Sequence, residues 1–419
     1  MKLNPTKVEE IKVLISQGLT QPKIAEQFGV SRSLISDIAT GRVWKQVDGP
    51  VLTKDSTNKR ILNLESEVVM LQDERNAMRR QIKTMHKTQS LFQAIVEEME
   101  SCVKPYTALP SVFNLDTKSE IEEHLVMHLS DGHHDQVIKP EECGGLEDHN
   151  FKVSCRRAEV YIDTVLKWTQ QTLAPTFKFP TLTVLAYGDH TSGEIHGNVE
   201  RSYYRNQFKN CFAVGKLHAL MFRDLAPYFE AVNIVYVPGN HGRRSIKKDY
   251  NNGPHDNWDY LIAEIARLHC QDINNLNFII PESFSVNIDI GGVGFCCFHG
   301  DEIRSSMGIP WYGLERKQRR LMALNQATGN RVRYFCCGHF HRPTSLTDID
   351  GELLVNGAWI ATDAFIYNAC SGYTIPSQLV HGINSKHGVT WKLAVHLRTP
   401  DEKKGSKRYK IDLMNGVGI

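Results

Sequence analysis

The sequence predicts an α/β domain as the main body of the protein, preceded by two all-α segments. Three observations lead to this prediction. From about residue 120 onward, five apolar stretches typical of strands alternate with segments of helical periodicity. The first 50 residues contain three short helical patterns separated by turns, and residues 57–102 keep a seven-residue apolar repeat without Pro or Gly.

Composition and charge limit the class of protein only broadly. The chain has 419 residues and a formal net charge of +2, so global charge does not indicate a nucleic-acid partner. No apolar run approaches the roughly 20 residues of a membrane-spanning helix, and the N-terminus lacks the apolar core of a signal peptide. The ten Cys show no CxxC spacing, and the adjacent pairs Cys296-Cys297 and Cys336-Cys337 lie in apolar stretches. We therefore expect reduced core cysteines in a cytoplasmic protein.

Residues 1–50 predict a helix-turn-helix DNA-binding domain. Helical patterns cover Thr6–Gln17 and Gln21–Phe28, and Ser31 is suited to cap a third helix that runs through Ile38. This spacing is typical of tri-helical domains whose last helix enters the DNA major groove. Residues 29–38 resemble helix-turn-helix segments joined to phage and mobile-element nucleases, which implies a host cytoplasm if the protein is phage-encoded. A three-helix protein-docking module is the alternative. The predicted DNA contacts are Arg32, Ser33, Ser36, Arg42, Trp44 and Lys45.

Residues 57–102 predict a coiled coil that joins two or more copies of the chain. Two sets of positions repeat every seven residues and would form the apolar seam. A single long helix lying on the following domain is the alternative. The first set is Ile61, Val68, Arg75, Ile82, Gln89 and Val96, and the second is Leu64, Leu71, Met78, Met85, Phe92 and Met99.

Residues 120–398 predict the α/β domain, and residues 399–419 predict a basic tail. Helical patterns lie between the strand-like stretches, as expected for a layered α/β core. The strand-like stretches are Leu125–Leu129, Leu182–Ala186, Val232–Val237, Val293–Phe298 and Val332–Cys337. The helical patterns lie near Arg157–Thr172, Tyr204–Leu225, Asn257–Leu268 and Tyr312–Asn325.

A short polar cluster follows each strand-like stretch, where loops on a rigid scaffold commonly carry function. Any one of these residues alone could be a turn residue, a helix cap or an ordinary loop histidine. Together they can hold two divalent metal ions side by side and leave one His uncoordinated, an arrangement that suits phosphate ester cleavage. Carboxylate and imidazole ligands favour Mn²⁺, with Fe²⁺, Zn²⁺ or Mg²⁺ as alternatives. The residues are Asp131, His133, Asp189, Asn240, His241, His299, His339 and His341.

The order of these clusters resembles the calcineurin-like metallophosphoesterase superfamily, with the pattern D-x-H, G-D, G-N-H, H and G-H-x-H. The match spans most of residues 125–341, and its last motif is similar to that of the repair-nuclease branch. The resemblance implies a four-layer α-β-β-α sandwich. It also implies that Asp189 bridges two metals, and that the non-ligand His241 stabilises or protonates the leaving group. By the same resemblance, one metal would be held by Asp131, His133 and His341, and the other by Asn240, His299 and His339.

The chain departs from the family pattern at two positions near the predicted site. Asp135 stands where the family often has Gly, and Gly242 stands where an acid often follows G-N-H. The group that orients His241 is therefore open, with Glu194 or Asp135 as candidates. The G-D-x-x-D-R-G form of phosphoprotein phosphatases is absent. Surplus histidines without a family counterpart are left out of the metal shell, although two of them could line a substrate groove: His190 and His196.

The sequence predicts a dimetal-dependent phosphodiesterase, and more specifically a DNA nuclease directed to DNA by the N-terminal domain. Arg243 and Arg244 follow the G-N-H motif and are expected to contact substrate phosphate. A phosphatase or nucleotide phosphodiesterase with a regulatory helix-turn-helix is the alternative. A non-catalytic DNA-binding scaffold is the third possibility, although the intact ligand set disfavours it.

Overall fold

A computed structural model describes residues 3–47, 65–80, 121–196, 198–247, 253–304 and 310–413. The chain divides into two compact units, residues 1–98 and residues 99–419, and each is described by itself. We call them the N-terminal unit and the C-terminal unit.

The N-terminal unit begins with three short helices at the predicted positions: α1 (Pro5–Ser16), α2 (Gln21–Phe28) and α3 (Arg32–Ala39). The Ser31 hydroxyl accepts a hydrogen bond from the backbone N–H of Leu34 at 3.3 Å, as expected of an N-cap. Gly29 ends α2 with a φ of 61°, a left-handed conformation that Gly adopts at low cost. The assignment of these helices to DNA binding stays a prediction. Their core consists of Val8, Ile11, Ile24, Ala25, Ile35, Ile38 and Val47.

A fourth helix, α4, covers residues 65–80 and is exposed along its whole described length. Val68, Leu71 and Met78, which the heptad places on the seam, are 50%, 58% and 63% exposed. The helix is present within the predicted coiled coil, but the partner that would cover these side chains stays a prediction. The rest of the predicted segment, residues 57–64 and 81–102, lies outside the described residues.

Two β-sheets form the centre of the C-terminal unit. The first sheet has the strand order β11-β10-β1-β2-β3-β4, in which β1 to β4 run parallel and β10 pairs antiparallel with both β1 and β11. Its strands are β1 (His124–Leu129), β2 (Thr181–Ala186), β3 (Ala231–Tyr236), β4 (Leu276–Ile279), β10 (Ser377–Asn384) and β11 (Gly388–His396). The second sheet has the order β5-β6-β7-β9-β8, and its strands are β5 (Ser285–Ile290), β6 (Val293–Phe298), β7 (Tyr334–Cys337), β8 (Thr344–Asp348) and β9 (Gly351–Val355).

The two sheets pack face to face, and helices cover their outer faces. Val126, Leu185 and Val235 of the first sheet share one apolar cluster with Phe295 and Cys336 of the second. On the other face of the second sheet, Leu314 of the helix after β6 belongs to a separate cluster, with Phe335 and Leu353. Within the described residues this gives the four layers that the resemblance implies. The helices are α5 (Phe151–Lys167), α6 (Gln207–Leu225), α7 (Trp258–Leu268), α8 (Trp311–Ala327) and α9 (Ala364–Cys370).

The adjacent cysteine pairs divide between the two faces of the second sheet. Cys297 and Cys336 lie in the cluster between the sheets, whereas Cys296 and Cys337 face α8. Successive residues of a strand point to opposite faces, so this division follows directly from the strand geometry. All four are buried and unbonded, which confirms the prediction that they are core residues.

The segment after residue 398 packs onto the C-terminal unit instead of extending from it. The Arg408 guanidinium pairs with Asp163 of α5 at 2.5 Å and with Asp224 of α6 at 3.1 Å, and Tyr409 is buried beside them. Lys403 pairs with Asp148 at 2.6 Å. Several cations that the sequence assigned to a basic tail therefore have acidic partners within the fold. No helix among the described residues is long and apolar enough to cross a membrane.

Candidate metal centre

The predicted ligands lie in loops that follow the carboxyl ends of five strands. Asp131 and His133 follow β1, Asp189 follows β2, Asn240 follows β3, and His299 follows β6. Because β1, β2 and β3 are parallel neighbours, as are β6 and β7, these loops meet at one edge of the double sheet. The last motif, with His339 and His341, follows β7.

The backbone of these loops is held in conformations that side chains seldom adopt. Asp131, His133, Asp189, His339 and His341 all have φ between 40° and 66°. Such left-handed residues cost roughly 1–3 kcal/mol each and persist only where surrounding contacts fix them. Here the loops fix one another, since the backbone N–H groups of Asp131 and His133 each donate at 3.0 Å to the carbonyls of Gly188 and Asp189.

Close packing of the loops requires glycine at two positions. A Cβ on Gly188, whose φ is +89°, would lie 2.2 Å from the backbone nitrogen of Gly239. A Cβ on Gly338 would lie 2.1 Å from Oδ2 of Asp131. The glycines of the G-D and G-H-x-H motifs thus allow neighbouring loops and a ligand carboxylate to approach.

The side chains form three overlapping groups whose potential ligand atoms lie within 4.8 Å of one another. Asp189 belongs to two groups, as expected of a residue that bridges two ions. His133 also belongs to two, although the resemblance assigns it to one metal, and His241, which the resemblance makes a non-ligand, belongs to one. Asn240 joins the last group, because its Oδ1 lies 2.9 Å from Nε2 of His299. The groups are Asp131 with His133 and His341, His133 with Asp189 and His241, and Asp189 with His299 and His339.

The surroundings of His299 favour a positive charge at this site. Its Nδ1 lies 2.9 Å from the carbonyl oxygen of Tyr187, which can only accept, so Nδ1 carries the proton in the neutral ring. Its Nε2 lies 3.0 Å from Oδ2 of Asp189, a second acceptor. Burial disfavours the charged ring, but Asp189 raises the pKa of His299 well above its ordinary value. A proton or a metal ion is required between these two atoms.

Both buried carboxylates remain ionised. The Asp131 Oδ2 accepts from the Ser130 hydroxyl at 2.6 Å, and its Oδ1 accepts from the N–H of His339 at 2.8 Å. Burial is the largest single effect and raises the pKa of Asp131, but the hydrogen bond to His341 and the charges of His341 and His299 together bring it below its ordinary value. Burial also raises the pKa of Asp189, but His299, His241 and His133 together bring it well below its ordinary value. Two buried anions need compensating cations.

Three buried histidines, His133, His190 and His381, have no hydrogen-bond partner for either ring nitrogen among the described residues, and of these only His133 belongs to the ligand groups. His133 is 3% exposed. Burial holds its pKa well below the ordinary value, so the ring is neutral and keeps a lone pair. A buried imidazole without partners is costly, and a coordinated metal ion removes that cost. The residues present therefore fit a pair of divalent ions.

The backbone of Ser192 orients His241, a role that the sequence did not reveal. The Nδ1 of His241 lies 3.0 Å from the carbonyl oxygen of Ser192, so Nε2 is turned away from that loop. Asp135 contacts Ser192 and not His241, since its Oδ1 accepts a hydrogen bond from the N–H of Ser192 at 2.7 Å. Glu194, the other candidate, accepts instead from the indole N–H of Trp258 at 3.2 Å. Asp135 therefore supports His241 indirectly.

Asp259 is a second residue that sequence reasoning missed. Its carboxylate accepts from the backbone N–H groups of Asp189 at 3.0 Å, His190 at 3.1 Å and Gly239 at 2.8 Å. It thereby fastens the loop that carries Asp189 to the loop that carries Asn240. The only sequence signal is an acid in the first turn of a helix capped by Asn257, which indicates a helix start but not the partners in two other loops.

The surplus histidines mostly form a buried layer under the centre. His134 Nε2 lies 3.3 Å from Nε2 of His218, whose Nδ1 lies 2.8 Å from the Tyr236 hydroxyl. His190 is fully buried, with its ring centroid 4.7 Å from that of His218, so it does not line a groove. His196 is exposed, and its ring centroid lies 5.3 Å from that of His241. Of the two histidines suggested for a groove, only His196 lines one.

Two cavities adjoin the centre. A large groove of about 1320 Å³ contains the side chains of His133, His241 and His341. A small pocket of about 330 Å³ borders His299 and contains both arginines of the G-N-H segment. The Arg243 Nε donates to the carbonyl of Asn240 at 3.1 Å, while Arg244 pairs with Asp256 at 2.8 Å. Phosphate contact by either arginine stays a prediction.

Comparisons with known proteins give structural similarities without sequence relatives. No protein-family model matches the chain, and no curated protein matches it. Vps29 from Cryptosporidium parvum is 15% identical, over 62% of this chain and 86% of its own, with a TM-score of 0.27. An archaeal phosphodiesterase is 12% identical, over 64% and 99%, with a TM-score of 0.31. A predicted phosphoesterase from Streptococcus pneumoniae is 9% identical, over 65% and 98%, with a TM-score of 0.26. Identities and TM-scores this low carry no argument about this chain.

Proposed function

We propose that the C-terminal unit is a metal-dependent phosphodiesterase. The observation that carries the proposal is the meeting, at one edge of two sheets, of two ionised carboxylates with five histidines. One of those histidines, His133, is buried without a partner among the described residues. An ordinary hydrophobic core does not bury so many ionisable side chains together, whereas a site for two metal ions needs carboxylate and imidazole ligands of this kind.

Two divalent ions at this centre would supply Lewis acidity and an activated water for attack on phosphorus. The chain's own residues have separate tasks. Asp189 belongs to two ligand groups and would hold the two ions at a fixed spacing. His241, oriented by Ser192, has its Nε2 available for a proton to the leaving oxygen. Arg243 is fixed beside Asn240 and would contact the substrate phosphate.

DNA as the substrate follows from the N-terminal unit and is an argument by association. In α3, Arg32 and Ser33 are exposed and Ser36 is half-buried, as required of side chains that contact bases. Arg42 and Lys45 lie exposed after α3, where they would contact the phosphate backbone. We propose that this unit brings the phosphodiesterase to DNA, which makes the protein a nuclease.

Self-association through α4 completes the proposal. Val68, Leu71 and Met78 recur at the spacing of a coiled-coil seam, and all are at least half exposed. A second copy of the same helix would cover them. A dimer would also present two DNA-binding units, which is how helix-turn-helix proteins contact paired half-sites.

The test uses purified full-length protein, Mn²⁺ and two kinds of substrate. Bis-(p-nitrophenyl) phosphate tests the centre, and labelled single-stranded, duplex, circular and hairpin DNAs test the substrate. We expect metal-dependent cleavage of both, lost in Asp189→Asn and kept in Asp350→Asn, a matched change in a 52% exposed carboxylate. Preference for p-nitrophenyl phosphate would instead indicate a phosphatase. Cleavage of neither compound, together with DNA binding, would indicate a scaffold.

A further inference from the structure

The large groove that contains metal ligands also carries three exposed aromatic side chains. Phe365 is 71% exposed, Tyr373 is 44% exposed and Trp311 is 36% exposed, and all three line the groove together with His133 and His341. Single exposed apolar residues are common on protein surfaces. Several in one groove, beside a catalytic centre, mark a binding surface.

This aromatic wall (Trp311, Phe365 and Tyr373) includes one strongly fixed element. Asp363 caps α9 by accepting from the N–H of Ile366 at 2.7 Å, and its other oxygen accepts from Gln136 at 3.1 Å. The segment after α9 is fixed as well, because the Thr362 hydroxyl donates to the carbonyl of Gly372 at 2.8 Å. The backbone that carries Phe365 and Tyr373 is thus anchored and does not need to be ordered when a ligand binds.

The same groove carries exposed cations as well as aromatic rings. Arg342 directly follows the ligand His341 and is exposed. Arg201 lies at the same groove with 67% of its side chain exposed, and its guanidinium is 3.8 Å from the carboxylate of Glu142. Arginines and metal ions attract phosphates, while flat aromatic faces stack on bases. This combination is typical of proteins that bind unpaired nucleic acid, whose bases are available to stack. A duplex keeps its bases inside and would leave the aromatic faces unused.

We infer that the aromatic wall stacks unpaired bases of a nucleic acid strand whose phosphate lies at the metal centre. The substrate would then be a single strand or a frayed end, cut where bases next to the scissile phosphate rest on Phe365 and Tyr373. This inference rests on the proposed phosphodiesterase function and adds the substrate class to it.

The test measures kcat/KM of the full-length protein with Mn²⁺ on a single-stranded tetranucleotide. A single strand of four nucleotides does not provide the duplex site that the N-terminal unit is proposed to bind. The comparison substrate has the same backbone, with stable tetrahydrofuran groups in place of the bases. The variants are Phe365→Ala, Tyr373→Ala and the conservative Phe365→Trp. The matched control is Ile349→Ala, which changes an apolar residue that is 99% exposed and outside the groove.

We expect each alanine variant to lower kcat/KM on the tetranucleotide by roughly 5- to 150-fold, the range that loss of one base–aromatic stack produces. Phe365→Trp should keep most of the rate, because Trp also stacks. Removal of all the bases should lower kcat/KM of the wild type at least as much, because it deletes every stack. On the base-free strand the alanine variants and the wild type should have equal kcat/KM, since the interaction that each variant removes is already absent.

The outcomes separate the two proposals. Hydrolysis of bis-(p-nitrophenyl) phosphate with equal rates on the base-bearing and base-free strands would overturn the stacking wall and leave the phosphodiesterase intact. Wild-type rates in both alanine variants would have the same meaning. No hydrolysis of any diester would overturn both.

Discussion

The two units of this protein place their functional residues in opposite ways. In the N-terminal unit the predicted DNA contacts lie within residues 32–45, on one helix and the segment that follows it. In the C-terminal unit the predicted metal ligands are spread from residue 131 to residue 341, on loops after five strands of two sheets. The first surface is local in sequence, and the second exists only after distant strands pair.

This difference has energetic consequences. A helix surface depends on the few core residues that fix three short helices, so losing one of them removes the whole surface. The metal centre depends on loops that hold each other in strained conformations, so a residue that touches no metal can still misplace the ligands. The two functions should therefore fail separately, and four predictions test this.

The largest effect is expected at the metal centre. Asp189→Asn removes the carboxylate shared by two ligand groups and should lower diester turnover by about a thousandfold or more. DNA binding measured in EDTA should be unchanged, because it depends on the other unit. Residual turnover near the wild-type rate would remove Asp189 from the centre.

The second effect concerns the stability of the N-terminal unit. Ile24 is fully buried in the core of this unit. Ile24→Ala should therefore lower the free energy of unfolding of the unit by about 2–5 kcal/mol. Hydrogen exchange should show faster exchange in α1 to α3, with loss of DNA binding and normal hydrolysis of the small diester. Slower diester hydrolysis in this variant would show that the units are coupled.

Asp259→Asn tests whether a positioning residue controls the centre. The amide cannot accept from three backbone N–H groups as the carboxylate does, so the loops bearing Asp189 and Asn240 should loosen. We expect metal affinity to fall by about 10- to 100-fold, measured by titration and matched by a higher metal requirement for turnover. Excess Mn²⁺ should restore much of the rate. Asp350→Asn is the control, and equal metal affinity in both variants would contradict the role.

The smallest effect is expected on the surface of α3. Arg32→Ala should weaken DNA binding by on the order of tenfold and leave turnover of the small diester intact. If Arg32 contacts phosphate, the salt dependence of binding should also become less steep. Unchanged affinity would show that α3 does not contact DNA through this residue.

Much of the fold could be predicted because strong patterns coincide with its central elements. The stretches predicted at 125–129, 182–186 and 293–298 became β1, β2 and β6, buried strands with continuous apolar runs. The strands β4, β5, β8, β9, β10 and β11 were missed. Of these, β5, β8 and β11 include exposed residues and carry many polar side chains, so they give a weak apolar signal. Helix α9, with seven residues and no buried one, gave no periodic signal.

The sequence by itself determined the chemistry available to this protein: which carboxylates, amides and imidazoles follow the strands, and which positions cap and end the first three helices. These are local properties, since a motif after a strand or a Ser before a helix acts on its immediate neighbours. Only the tertiary structure decided the rest. It bonded Asp259 to two loops, made the Ser192 carbonyl the partner of His241, buried His190 in the core, and brought Phe365 and Tyr373 to the groove that contains the ligands. Each of these depends on contacts between segments far apart in the chain, which no local pattern specifies.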